Sequence, residues 1–361
     1  MRKYVMARCN MKNAGLFCSV LVLLVGACNR GESYYTASDF HAVEKCDAHF
    51  HYLTYDTAYM AFARSINFRL LTPVWDGEEA PVNEQINIAA SIKKSYPHDY
   101  AFFGTFAADS FQRPDFNEYV ERSIRNFMSE GASGLKLWKN IGMVLKDSSG
   151  KYLMIDDPVF GFMFTFLVRE KIPVIAHLGE PKNCWLPLEE MTDPGDASYF
   201  RNNPQFHMYL HPEVPSYEEQ VQARDNILAG YPGLDFTGAH LGSLEWSVDE
   251  LAKRLDAYGN FSADLAARIF HLQLQSEKDY EIVRSFMIRY QDRLIYGTDN
   301  EVHDRPGVAS AEICTKLEKG WYNHWLYFAT DSVINGVKGL KLPASVIDKL
   351  YYTNASRFFK K

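Results

Sequence analysis

Apolar residues along this chain gather in short, nearly continuous runs, and the stretches between them repeat at helical spacing. The runs predict strands at 66–71, 100–107, 134–138, 172–177, 234–240, 260–265 and 294–299, with a first one entering Cys46-Asp47-Ala48-His49-Phe50-His51. Little alternation with polar residues occurs inside them, as expected of parallel strands buried on both faces. Helical spacing covers 83–96, where Ile86, Ile88, Ala89 and Ile92 share a face and Pro97 is the stop. It recurs at 116–130, 156–171, 216–230, 277–291 and in a closing segment at 344–359. Ser247-Val248-Asp249-Glu250 opens another helix with a capping box. Strands alternating with helices indicate a parallel sheet, either doubly wound or closed into a (β/α)8 barrel. No Gly-x-Gly-x-x-Gly follows the first strand, so the dinucleotide-binding version has little support. Residues 180–215 fit neither period. They are rich in proline and aromatics and too long for an ordinary connection.

With 361 residues, the chain accommodates one barrel, a targeting segment and a long loop. Its net charge of −7, without a basic stripe, argues against nucleic acid and leaves a small molecule as the expected partner. The N-terminus differs from the rest. Met11-Lys12-Asn13 precedes an uncharged apolar run at 14–27, which reads as a secretory signal and is short of the ~20 residues of a membrane span. Val25-Gly26-Ala27-Cys28 resembles the lipobox of bacterial lipoproteins. That resemblance implies a signal peptide at 1–28, lipid on Cys28, a polar tether at 29–44 and membrane contact through the lipid alone. Asn29 lacks the aspartate that retains many such proteins at the inner membrane, which implies the outer membrane of a Gram-negative bacterium. Beyond Cys9, Cys18 and Cys28, the widely spaced Cys46, Cys184 and Cys314 make no disulfide framework and read as buried thiols.

Chemistry concentrates at strand ends. On an extended strand, His49 and His51 point to one side and offer two imidazoles to one point. Lys136, His177, His240 and Asp299 sit at or near the carboxyl ends of other strands, which in a barrel share the face where active sites are built. Singly, each has a plain structural reading: His177 and His240 bonded to carbonyls, Lys136 paired with a carboxylate, Asp299 capping a turn. Together, histidines and a carboxylate make a nitrogen–oxygen donor set suited to zinc or a similar ion.

Asp47-Ala48-His49-Phe50-His51, Gly134-Leu135-Lys136, His177, His240-Leu241-Gly242, Gly297-Thr298-Asp299 and Asn354-Ala355-Ser356-Arg357-Phe358 resemble the amidohydrolase superfamily, over roughly residues 45–358. The branch most resembled is "amidohydrolase 2", which holds hydrolases, lactonases, hydratases and non-oxidative decarboxylases. The resemblance implies a (β/α)8 barrel over 45–361 and one divalent metal, zinc foremost, on His49, His51, His177 and Asp299. A carboxylated Lys136 bridging a second metal stays open. It further implies catalysis by metal-activated water, with Asp299 moving the proton and His240 touching substrate or stabilising an oxyanion. Lys136, Trp138, Arg268 and Arg201 are the expected substrate-binding residues. The 180–215 insert, with Asn183, Trp185, Tyr199, Arg201, His207 and His211, either binds a ring or sugar at the mouth or fills a groove on the barrel. A decarboxylase or hydratase on the same scaffold and a non-catalytic, lipid-anchored binding protein are the alternatives.

Overall fold

A computed structural model describes residues 32–77 and 80–359. The expected signal peptide and lipidated Cys28 lie outside those residues, as do positions 29–31 of the expected tether. Eight parallel strands follow one another in chain order around a curled sheet. They are β1 (Lys45–Asp47), β2 (Phe68–Pro73), β3 (Tyr100–Gly104), β4 (Gly134–Leu137), β5 (Val174–Ala176), β6 (Phe236–Gly238), β7 (Phe261–Asp264) and β8 (Leu294–Ile295). The main chain closes the ring where Ala48 N donates to Tyr296 O (3.0 Å) and Asp299 N to His49 O (2.8 Å). The fold is the (β/α)8 barrel.

Alternation along the strands explains why both faces read as apolar. Tyr100 and Phe102 on β3 belong to the core under the outer helices, while Ala101 and Phe103 join an inner cluster with Cys46, Leu71, Ile175, Ile295 and Phe358. Side chains of mixed size fill the barrel interior, and Phe358 of the closing segment meets Phe103 edge-on at 5.1 Å. Cys46, Cys184 and Cys314 are free, buried thiols.

Helices Val82–Ser95, Phe116–Ser129, Gly161–Glu170, Tyr217–Gly230 and Val248–Ala257 lie within a few residues of their predicted spans. The expected helix at 277–291 is Tyr280–Arg289, and a further helix precedes it. Asp279 ends Ile269–Lys278 and caps Tyr280–Arg289 by accepting from Ile282 N (3.0 Å). The 20-residue helix Ser310–Ala329, absent from the sequence reading, packs Trp321 and Trp325 against the barrel. No described helix is long and apolar enough to cross a membrane.

Two segments depart from their predicted form. The first strand breaks at Ala48-His49: β1 stays in the barrel, and Phe50–Leu53 pairs in parallel with Asn300–His303 as a separate two-stranded sheet. From Ser33 onward the expected tether is docked on the barrel. Thr36 O accepts from Trp325 Nε1 (2.9 Å), Ser33 O accepts from Ala344 N (2.8 Å), and Phe40 is buried beside Phe68, Tyr322 and Trp325. Burial of Phe40 is what a solvated tether would forgo.

Candidate active site

Six side chains from the carboxyl ends of five strands converge. His49 and His51 follow β1, Lys136 ends β4, His177 follows β5, His240 follows β6, and Asp299 follows β8; together they line a cavity of about 240 Å³ with Trp75, Trp138, Lys139 and Glu301. The break in the first strand does not separate its histidines, whose ring centroids are 5.3 Å apart. Asp299 Oδ1 lies 3.1 Å from His51 Nε2 and 3.4 Å from His49 Nε2. One donor atom each from His49, His240 and Asp299 falls within 4.8 Å of the other two. His177 stands against His240, ring centroids 4.2 Å apart, and its buried Nε2 makes no hydrogen bond, with Glu180 Oε2 3.8 Å away.

A residue absent from the sequence reading organises this set. Asp264, fully buried at the end of β7, accepts from His49 Nδ1 (2.8 Å), from His240 N (2.8 Å) and from Ala266 N (3.1 Å). Its strand was legible, and an aspartate ending an apolar run carried the same signal as Asp299. The first bond puts the His49 proton on Nδ1 and leaves the Nε2 lone pair facing the cavity, the form a metal-ligating imidazole takes. His240 is fixed likewise. Its Nδ1 donates to Ala266 O (2.9 Å), so Nε2 carries the lone pair. The backbone bears strain to reach this arrangement: φ is +59° at His240, +56° at Leu241, +58° at Ser243 and +67° at Asp299, left-handed values that residues with a Cβ seldom adopt.

Charge is arranged with the same economy. Burial holds His49 low, His240 down to about 3 and His177 well below the ordinary imidazole range, so all three are neutral at pH 7. Burial alone would raise the Asp299 and Asp264 carboxyls. The rings of His240, His51 and His49 instead hold Asp299 well below the carboxylate range, and His49, His240 and Lys136 lower Asp264. Lys136, buried 3.5 Å from His49 Nε2, is lowered by burial to about 8.

The remaining expected residues are placed differently. Trp138 lines the cavity. Arg268 does not, although its Nε is buried without a partner and its Nη1 donates to Ala267 O (3.0 Å). Arg201 is exposed on the insert and is outside the lining. The insert is occupied with itself: His207 Nε2 bonds Leu186 O (2.8 Å), His211 Nε2 bonds Pro204 O (3.1 Å), and Trp185 Nε1 donates to Pro215 O (3.2 Å). At its start, Glu180 pairs with Lys139 of the cavity wall. Trp75, Lys139 and Glu301 were not singled out in the sequence, because they follow strands or join the seam without motif spacing.

Fold and site define a (β/α)8-barrel protein with a candidate metal centre at the carboxyl ends of its strands. The chain belongs to the amidohydrolase family: the family model described as Amidohydrolase (Amidohydro_2) matches residues 97–361. That span holds Lys136, His177, His240, Asp264 and Asp299 and leaves out His49 and His51. No curated protein matches the chain. Among solved structures it is similar to an amidohydrolase II (15% identity, TM-score 0.49, covering 88% of this chain and 100% of that one). It is also similar to 2,6-dihydroxybenzoate decarboxylase from Rhizobium (15%, 0.48, 88% and 98%). A third is 4-oxalomesaconate hydratase from Rhodopseudomonas palustris (11%, 0.45, 87% and 95%).

Proposed function

We propose that the chain is a metal-dependent enzyme that hydrolyses the C–O bond of a lactone or ester or the C–N bond of an amide. The observation that carries this reading is the convergence of neutral imidazoles on one carboxylate in a buried cavity, with His177 Nε2 making no hydrogen bond and the His49 and His240 Nε2 lone pairs exposed to it. Such a donor set fits a divalent cation, zinc foremost, held by His49, His51, His177 and Asp299. When bound, the cation supplies Lewis acidity that polarises a substrate oxygen and acidifies water. Asp299, ionised at neutral pH, takes the proton from water and delivers it to the leaving group. His240 was expected to stabilise an oxyanion, but its Nε2 has no proton to donate while Nδ1 is committed to Ala266. It therefore orients water as an acceptor or joins the ligands. Lys136 serves as the cation for an anionic substrate group; its carboxylation to bridge a second metal would appear as added mass on that residue.

A second reading, non-oxidative decarboxylation, is favoured by the cavity walls: the indoles of Trp75 and Trp138 beside Lys136 and Lys139 suit an aromatic acid. Metal analysis with a screen of sugar lactones, aryl esters and aromatic acids tests both readings. We expect turnover to fall to background with chelator and to return with zinc, and ring opening rather than carbon dioxide as the product. Carbon dioxide would move the assignment to the second reading, and undiminished turnover by metal-free protein would remove both. A metal-free chain that bound sugar without turnover would indicate the binding module instead.

Export and anchoring through Cys28 are also proposed, supported by the sequence of residues 11–28 alone. Mass analysis of membrane-fraction protein should find a chain beginning at acylated Cys28; a retained residue 11–27 segment would refute it.

A further inference from the structure

The insert brings a second group of donor atoms together, away from the cavity lining. Asp193 caps helix Pro194–Asn202, and Asp196 lies in its first turn; both face His271 on helix Ile269–Lys278. His271 Nε2 is 3.5 Å from Asp196 Oδ2 and 3.8 Å from Asp193 Oδ2, and one atom of each residue lies within 4.8 Å of the others. His271 is 4% exposed, yet neither of its ring nitrogens makes a hydrogen bond. Two carboxylates at 3.5 and 3.8 Å stand too far for good hydrogen bonds, and a buried imidazole so poorly satisfied is costly.

Spacing and charge both point to a cation. Ligands ~2.0–2.2 Å from a tetrahedral zinc stand roughly 3.3–3.6 Å apart, close to the separations around His271. The carboxylates keep their other bonds meanwhile: Asp193 Oδ1 accepts from Gly195 N (2.7 Å), and Asp196 Oδ2 accepts from Asn183 Nδ2 (2.8 Å). Glu245, 1% exposed, leaves Oε2 without a partner, and Arg268 and His271 are the groups acting on it from this side. Arg268 also acts on Asp196, and with Asp193 and His271 these buried groups form a polar cluster that a cation would satisfy. Imidazole with few oxygens favours zinc over calcium, which takes six to eight oxygen ligands.

We propose that Asp193, Asp196 and His271 supply three ligands of a second zinc site, with water in the fourth position, that fastens the 180–215 insert to the barrel wall. The inference does not depend on the proposed reaction. Its test uses the full chain with His49→Ala and His177→Ala, which disables the cavity. After zinc loading and gel filtration, this protein should keep one zinc equivalent and melt at a higher temperature than when stripped. Adding Asp193→Asn preserves an oxygen for the helix cap but should abolish both the zinc and the melting shift. A folded double variant without zinc, or zinc retained after Asp193→Asn, overturns the proposal. Should the double variant not fold, cobalt titration of the otherwise unaltered chain gives the answer. Asp193→Asn then lowers the stoichiometry by one, and an unchanged stoichiometry refutes the site.

Discussion

Replacing Asp299 with asparagine is expected to lower kcat by about 10²–10⁴-fold, the usual contribution of a positioned proton-transfer group. The substitution keeps the shape of the side chain and one oxygen near His51 Nε2 and His49 Nε2, at 3.1 and 3.4 Å in the unaltered chain. It removes the basicity. Asp299 is ionised at neutral pH because His240, His51 and His49 hold its carboxyl low against the effect of burial, so its oxygens are available as acceptors for the proton of an acidified water. An amide cannot take it. The three histidine donors remain, so much of the metal should stay bound, and metal content measured beside kcat separates lost chemistry from a lost cation. A variant with full metal and full turnover would take the proton shuttle away from Asp299. One that lost metal and turnover together would make Asp299 chiefly a ligand.

The sequence shows where this chemistry lies more readily than how it is held. Strands buried on both faces are written as apolar runs, and a histidine or aspartate ending such a run stands out against it. His177, His240 and Asp299 were legible for that reason. The proton positions on His49 and His240 were not, because Asp264 and Ala266 fix them through contacts 215 and 26 residues distant in the chain. Asn300-Glu301-Val302-His303 has no apolar run to mark it, and only its pairing with Phe50–Leu53 makes it a strand. Phe40 gave a local hint against a free tether, but its partners Tyr322 and Trp325 lie on a helix the periodicity did not reveal. Left-handed backbone at His240 and Asp299 has no local signature in residues that carry a Cβ.

The seam between the first and last strands predicts the largest loss of stability. Asp47 is wholly buried at the end of β1 and accepts from Thr298 N (2.9 Å), Thr298 Oγ1 (2.6 Å) and Trp321 Nε1 (2.9 Å), joining β1 to the segment after β8 and to helix Ser310–Ala329. Asp47→Ala strands these donors in the interior. Each costs about 1–3 kcal/mol when left unpaired, and breaking a buried polar network of this kind costs about 3–5 kcal/mol in all. Urea unfolding should show a lower midpoint with little change in slope. The effect should depend on pH with a definite sign. Burial pushes the Asp47 carboxyl up to about 7, against the lowering effect of Thr298, Trp321 and His49, from an ordinary value of 3.8. Between those values the folded chain retains a proton that the unfolded chain releases, so stability falls as pH rises through this window. Asp47→Ala lacks the group, and its deficit relative to the unaltered chain should narrow from pH 4 to pH 7. An unchanged urea midpoint would mean that the main-chain bonds of Ala48 and Asp299, with the Phe50–Leu53 pairing, close the barrel without Asp47.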